Sequence, residues 1–541
     1  MKIFFAFFSL LLITISSGAQ SLQRPKLVVG ITVDQMRWDY LYRYYNRFAE
    51  NGGFKRMLNK GFSCENTFIP YSPTVTACGH STIFTGSVPA VHGITGNFWY
   101  DLQKKASLYC TGDTSVRTVG TTSIHGQQSP RNLLTTTITD ELRLATNFQS
   151  KVIGIAIKDR GSILPAGHTA NAAYWYDSNS GDWISSTYYM SELPKWLVDF
   201  NAQKLVNKYY AMGWNTLYPI NTYTQSTTDE NAYELKPLGA AAKGFPYNLS
   251  LFAGKSYGVL PATPFGDKLT IEIAKSALTN EKLGADAITD FLTISFSTPD
   301  YVGHSFGPNS IEVEDIYLRL DKELGEFLDV LDSKVGAGQY LVFLSADHGA
   351  SHVTRFAKDH KIPAGNLDLN KIELDLNQSL KQKFGKDDLI TTIANYQVVL
   401  NMPVIESSKL NIQEIKNLVM DYLSVQEGID RVVDLNNLAN TNLNVKIKDM
   451  LTNGYHPTRS GHIQLIPKPQ WIEGYANGGT GHGVWNPYDA HIPLLWYGWG
   501  IKPGRLNREV YMTDIAPTVA ALLHIQMPNG SVGNVIHEII K

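Results

Sequence analysis

Six side chains of the kinds that bind metal ions recur where apolar runs of this sequence stop. Asp34 closes Leu27-Val-Val-Gly-Ile-Thr-Val33, and Asp300 follows the run 292–297 with His304 one helical turn further on. Asp347 and His348 close Leu341-Val-Phe-Leu-Ser-Ala346, and His482 lies in Gly478-Gly-Thr-Gly-His-Gly483. In open α/β sheets the carboxyl ends of strands face the binding crevice, so residues far apart in the chain converge there. The glycine-rich stretch reads as too flexible for a core element and suited to carrying His482 towards the others. Three carboxylates and three imidazoles suffice for two three-ligand centres, each keeping positions open to water or substrate as catalytic zinc requires. Mixed imidazole and carboxylate ligation favours zinc over magnesium or calcium, which take all-oxygen shells. Taken singly, Asp34 reads as a turn or cap residue and His482 as a surface histidine; the chemistry lies in their joint recurrence.

The elements that must position these groups follow from the same runs. Residues 27–33, 152–157, 292–297, 340–345 and 492–496 are rich in β-branched side chains and mostly continuous in apolar character, as strands covered on both faces should be. Helix-like segments alternate with them. This predicts an α/β fold with a mainly parallel central sheet and helices on both faces. A helix is expected after Pro308, with Asn309 as its cap, Glu312 at its third position, and Leu320, Leu324, Phe327 and Leu331 on one face. Another is expected near Thr513, with Pro517 in its first turn. In residues 167–290 and 362–469 the rhythm gives way to Tyr, Asn, Thr and Lys. Both segments read as insertions that cap a single domain spanning residues 20–541.

With 541 residues, 43% of them hydrophobic, the chain can bury a sizeable core. Lys and Arg number 47 against 49 Asp and Glu, so no global field steers it towards anionic lipid, and nucleic acid is not expected as a specific partner. Lys2, the apolar run 3–15 and the small residues Ser17, Gly18 and Ala19 form the layout of a secretory leader, with cleavage expected after Ala19. A retained anchor is the alternative, though the run is shorter than the ~20 residues a spanning helix needs. The mature chain is then expected without a membrane span, in the periplasm or released from the cell. Cys64, Cys78 and Cys110 allow at most one disulfide, which excludes a disulfide scaffold.

Six separated segments, Val33-Asp34-Gln35-Met36-Arg37, Pro73-Thr-Val-Thr76-Ala77, Asp300-Tyr-Val-Gly-His304, Ser345-Ala-Asp347-His348-Gly349, His482-Gly-Val-Trp485 and Thr513-Asp-Ile-Ala-Pro-Thr518, together resemble the alkaline phosphatase superfamily. Within it the chain is similar to the phosphate-irrepressible, PafA-type monoesterases, from about Arg24 to the C-terminus. The resemblance implies two zinc ions per chain, one held by Asp300, His304 and His482 and the other by Asp34, Asp347 and His348, with Thr76 between them as nucleophile. By the same matching, Asn97 in Ile94-Thr-Gly-Asn97 and Lys158 with Arg160 in Ile157-Lys-Asp-Arg160 would contact the phosphoryl oxygens. The implied activity is hydrolysis of small-molecule phosphate monoesters through a phosphothreonine. A threonine hydroxyl is a poor nucleophile unless a cation stabilises its alkoxide, and phosphoryl transfer otherwise asks for positioning and charge, which the three donors would supply. If the strand from Val152 extends to residue 160, alternation puts Lys158 and Arg160 on one face and Asp159 on the other.

Neighbouring groups need the same scrutiny. Thr74 is a nucleophile by composition, but only Thr76 matches the family position. Cys78 departs from the family pattern; on a helix it lies ~200° round from Thr76 and reads as packing. His80, His92, His352 and His491 lie near the motifs, but six residues already complete two centres, so supporting roles are expected for them. The absence of Cys-x-Pro-x-Arg around Cys64 or Cys78 argues against a sulfatase. A binding protein that merely kept the fold should have lost one of the seven residues formed by Thr76 and the six ligands, and all are present. The nearest rival is a phosphodiesterase or nucleotide pyrophosphatase on the same metals. Lys158 and Arg160 discriminate, because a dianionic monoester gains from extra cations.

Overall fold

The computed structural model of the chain describes residues 23–239, 243–476 and 478–540; the leader expected at residues 1–19 lies outside them. Strands β1 (Leu27–Val33), β2 (Phe62–Phe68), β3 (Phe98–Asp101), β4 (Ala106–Tyr109), β5 (Val152–Ala156), β6 (Ala172–Asp177), β7 (Asp182–Ser186), β8 (Asp290–Phe296), β9 (Tyr340–Ser345), β10 (Leu494–Gly498) and β11 (Gly504–Tyr511) bear on the site. β1, β5, β8 and β9 are buried along their whole length, which is why their sequences run apolar without alternation.

These strands are also neighbours. β9 pairs with β1, β1 with β8, β8 with β5 and β5 with β6, all in parallel. In this register Thr32 lies opposite both Ser345 and Ser295, and Ser295 opposite Ala156. The four strands therefore end at one level, and the residues that follow them open onto one crevice. The flanks of the 11-stranded sheet are antiparallel: β7 beside β6, and β10 between β9 and β2, with β11 parallel to β2.

Four helices matter to the site: α1 (Thr76–Thr85), α2 (Asp159–Ala166), α3 (Thr298–Phe306) and α4 (Ile311–Leu331). The cap of α4 is Ser310, whose hydroxyl accepts from the Val313 amide at 3.2 Å. Asn309, the cap expected from the sequence, instead has its Oδ1 2.7 Å from His352 Nδ1. Leu320, Leu324, Phe327 and Leu331 are all buried. Pro517 sits in the first turn of the helix Ile515–Leu523.

Two stretches outside the strand rhythm take different courses. Within 167–290, β6 and β7 extend the central sheet, with Tyr174, Trp175 and Trp183 buried, so part of this stretch belongs to the core layer. Within 362–469 the strands Ile390–Ala394, Gln397–Leu400, Ile463–Pro467 and Ile429–Asp434 form a separate four-stranded sheet. It covers an apolar cluster of its own that includes Leu376, Leu380, Val419 and Leu423. Among the described residues, no helix is long and apolar enough to cross a membrane.

Candidate active site and metal centres

The level strand ends deliver the six candidate ligands to one place. Asp34 follows β1, with its amide on the Phe296 carbonyl at 3.0 Å. Asp347 and His348 follow β9. Asp300 lies in the first turn of α3 after β8 and His304 in its last, so their four-residue spacing puts them on one helix face. His482 arrives on a loop that is buried and pinned rather than loose. The Thr480 hydroxyl donates to the Ser351 carbonyl at 2.8 Å, and the Gly479 amide donates to the Tyr233 carbonyl at 2.7 Å. Gly479 has φ +76°, and a Cβ there would stand 2.4 Å from the His304 carbonyl oxygen, so glycine serves close approach here rather than flexibility.

The ligand atoms of Asp300, His304 and His482 all lie within 4.8 Å of one another, and so do those of Asp34, Asp347 and His348. The two triads adjoin, with the His348 and His482 rings stacked at 3.5 Å. Each imidazole has Nδ1 against a backbone carbonyl: His304 on Thr480 at 2.7 Å, His348 on Gly349 at 2.9 Å and His482 on Thr74 at 2.7 Å. A carbonyl can only accept, so Nδ1 carries the proton and the Nε2 lone pair of all three rings faces inwards, as metal ligation needs. Asp34 Oδ1 and Asp347 Oδ2 are buried without a hydrogen-bond partner, a costly arrangement for carboxylates that a cation would relieve. The donor set thus fits two zinc-type cations.

The electrostatics of the six groups are uneven: at His304 burial is outweighed by Asp300, which lifts the imidazole above its usual range. Burial, reinforced by Asp347, pushes the Asp34 carboxyl well above the usual range. At Asp300 burial is outweighed by His304 and Lys158, and at Asp347 by His348 and His80, so both stay below it. Burial drives the His348 imidazole down, and burial together with His348 drives His482 well down, which keeps both in the neutral, ligating form.

Thr76 is the first residue of α1 and buried, and its Oγ1 lies 3.5 Å from His348 Nε2. The helix N-terminus therefore meets the crevice with its positive end. Thr74 Oγ1 is committed to the Val484 carbonyl at 2.8 Å, and Cys78 packs away from the triads with its thiol on the Ile94 carbonyl. Asn97 Oδ1 accepts from the Ala77 amide at 2.9 Å, which leaves its NH2 as the free donor.

The strand does not extend to Lys158 and Arg160, so the alternation that such an extension would impose does not apply. β5 ends at Ala156, Lys158 precedes α2 and Arg160 lies in its first turn, so backbone turning rather than pleat sets their directions. Lys158 Nζ bridges the triads, 2.7 Å from Asp34 and 2.6 Å from Asp300. Arg160 Nη1 reaches the Tyr109 hydroxyl at 3.1 Å. Both line a cavity of about 290 Å³ together with Tyr109, His125 and Tyr301.

Three supporting residues carried little sequence signal. Gln35, at φ +61°, sends its amide to Asp347 Oδ1 at 3.0 Å and Nε2 to Asp300 Oδ1 at 2.8 Å. A non-glycine in the left-handed region costs roughly 1–2 kcal/mol, and here the strained residue touches one carboxylate of each triad. Tyr475 puts its hydroxyl 2.9 Å from His304 Nδ1. His80, set aside as a ligand, lies 3.4 Å from Asp347 Oδ2. His92, His352 and His491 turn to Thr82, Asn309 and the Glu65 carbonyl.

Close packing between α1 and the end of β9 gives a test. A Cβ on Gly79 would stand 2.4 Å from the Asp347 carbonyl oxygen. Gly79→Ala is expected to destabilise the fold by about 1–3 kcal/mol and to lower bound metal, read by denaturant unfolding and metal analysis. An unchanged midpoint with full metal content would show that this contact yields.

Residues 28–489 match the type I phosphodiesterase / nucleotide pyrophosphatase family. The chain belongs to this family. Alkaline phosphatase PhoV of Synechococcus elongatus is 54% identical, covering 96% of this chain and 94% of its own. A Myroides odoratus protein named a calcium-transporting ATPase is 53% identical, covering 97% and 96%. The crystal structure of wild-type alkaline phosphatase PafA superposes with a TM-score of 0.94 at 51% identity, over 96% of this chain and 100% of that one. A PafA variant with one threonine changed to serine and one asparagine, one lysine and one arginine changed to alanine matches equally, with a TM-score of 0.94. Within the alkaline phosphatase superfamily the chain is of the PafA type.

Proposed function

We propose that this protein is an exported phosphatase that holds two zinc ions and passes the phosphoryl group of its substrate through Thr76. Its class is phosphoric monoester hydrolase, the class of alkaline phosphatase PhoV, which is 54% identical over nearly the whole chain. Export rests on the leader layout of residues 1–19. The name of the Myroides odoratus relative shares with the phosphatases the hydrolysis of a terminal phosphoryl group, and that is the step the geometry supports here.

The observation that carries the reading is the convergence of Thr76 with both triads, its hydroxyl 3.5 Å from His348 and His348 stacked on His482. Asp34, Asp347 and His348 would hold the cation beside Thr76, and Asp300, His304 and His482 the other. Bound zinc would supply Lewis-acid charge at the attacking and leaving oxygens. Thr76 Oγ1 forms a bond to phosphorus as the ester P–O bond breaks and the alcohol leaves. Water then displaces Thr76, releasing inorganic phosphate. The NH2 of Asn97 and the guanidinium of Arg160 donate to the remaining oxygens, and Lys158 adds charge between the triads. The four residue types altered together in the PafA variant, Thr, Asn, Lys and Arg, occur here in that chain order as Thr76, Asn97, Lys158 and Arg160.

The family name also covers phosphodiesterases, which is the second reading. Lys158 and Arg160 favour the monoester, because a diester has one negative charge fewer and needs room for a second substituent.

Purified protein is expected to contain close to two zinc ions per chain and to lose activity on chelation, with zinc restoring it. His304→Ala or Asp347→Ala should lower the metal content, since either leaves a centre with two protein ligands. Full turnover by metal-free protein would overturn the reading.

A further inference from the structure

The hairpin formed by β3 and β4 joins two of the proposed phosphoryl contacts. Phe98 lies opposite Tyr109 in the ladder, and the Cys110 amide donates to the Asn97 carbonyl at 3.0 Å. Asn97 thus lies across from Cys110 and diagonal to Tyr109 at the base of the hairpin. The Tyr109 hydroxyl accepts from Arg160 Nη1 at 3.1 Å and donates to Asp159 Oδ1 at 2.5 Å. Among the described residues this hydroxyl is the only hydrogen-bond partner of the Arg160 guanidinium, whose Nε is buried and unpaired.

From this arrangement we propose that Tyr109 is a positioning residue, which aims the Arg160 guanidinium at the phosphoryl site. Its phenolic proton is donated in the hydrogen bond to Asp159, so the oxygen can only accept towards Arg160, and the direction of that lone pair fixes the guanidinium. Burial and Asp159 hold the phenol well above its usual range, so the proton stays in place under alkaline conditions. The Phe98 ring, 4.7 Å from that of Tyr109, holds the phenol against the hairpin. A guanidinium held in advance loses less freedom when it meets the transition state, and this raises the rate without new contacts. Tyr109 touches no substrate in this scheme; it acts through Arg160. The inference rests on the reading of Arg160 as a phosphoryl contact.

The test is a double-mutant cycle of Tyr109→Phe and Arg160→Ala on the metal-loaded enzyme, read as kcat/KM for an aryl phosphate monoester. Metal content and unfolding midpoint are measured alongside. Tyr109→Phe keeps the ring and its packing, so both controls should match wild type while kcat/KM falls on the order of tenfold, as for loss of one hydrogen bond to a charged group. In the Arg160→Ala background the same change should have almost no effect, which a merely structural role would not produce. If Arg160→Ala keeps the wild-type rate, the assignment of Arg160 fails and takes this inference with it. If Arg160→Ala is slow but Tyr109→Phe is without effect, or equally costly in both backgrounds, only the positioning role of Tyr109 is overturned.

Discussion

Thr76→Ala is expected to lower kcat/KM for a phosphate monoester on the order of 10³-fold or more with the metal content unchanged. The substitution removes the hydroxyl and a methyl group but leaves the backbone that organises the site. The Thr76 carbonyl that faces His80 Nδ1 at 2.9 Å, and the Ala77 amide that binds Asn97 Oδ1, belong to the main chain. None of the six candidate ligands depends on the Thr76 side chain for its orientation, because the imidazoles are set by carbonyls of Thr480, Gly349 and Thr74. A large kinetic loss without metal loss would therefore report the missing nucleophile. Thr76→Ser should retain much of the rate, since the hydroxyl is what the chemistry needs. Wild-type turnover in Thr76→Ala would remove Thr76 from the mechanism, and activity lost together with the metal would make its role structural.

The second large effect separates monoesterase from diesterase. A monoester presents two negative charges on its non-bridging oxygens near the working pH, and a diester presents one and caps an oxygen with a second group. Charge-assisted hydrogen bonds contribute roughly 1.5–3 kcal/mol each, about tenfold to more than a hundredfold in rate when realised in the transition state. Replacing Lys158 and Arg160 by Ala is expected to cut monoester kcat/KM by roughly 10²- to 10⁴-fold, allowing for non-additivity, and diester kcat/KM much less. Lys158 also sits between Asp34 and Asp300, so metal content must be measured in the same samples and the Arg160→Ala single variant included. The decisive quantity is the monoester-to-diester ratio. A wild-type ratio below one, or a ratio that does not move in the variant, would make the diesterase reading the better one.

What could be read from the sequence follows from which forces are local. β1, β8 and β9 are buried on both faces and so announce themselves as apolar runs, and the polar residue that ends each run marks the crevice; Asp34, Asp300 and Asp347 were visible for that reason. The direction in which a chain leaves a strand is not local in the same way. Val152 to Ala156 gives no sign that α2 begins at Asp159, so the sequence leaves open whether the strand reaches Lys158 and Arg160, which are found at a helix start. The Ser310 cap against the expected Asn309 is a shift of one residue, within the usual uncertainty of a boundary. Gly478 to Gly483 looked loose because glycine permits many conformations, yet tertiary contacts to Ser351, Tyr233 and His304 require glycine there and bury the loop. Gln35 lies in a segment that carries the resemblance, but its role was not legible, since it depends on two carboxylates that follow β8 and β9. The central sheet gained β6 and β7 from a stretch read as a capping insertion, because aromatic side chains such as Trp175 and Trp183 suit a pocket wall and a sheet face equally.

The central claim is a covalent phosphoryl group on Thr76, and acid quenching during turnover tests it most directly. Enzyme mixed with a phosphate-labelled aryl monoester and quenched in acid should carry label on a single peptide containing Thr76. That label should be absent from Thr76→Ala and should disappear from wild type when the substrate is exhausted. Label on Thr74, or a fully active enzyme that never acquires label, would contradict the account.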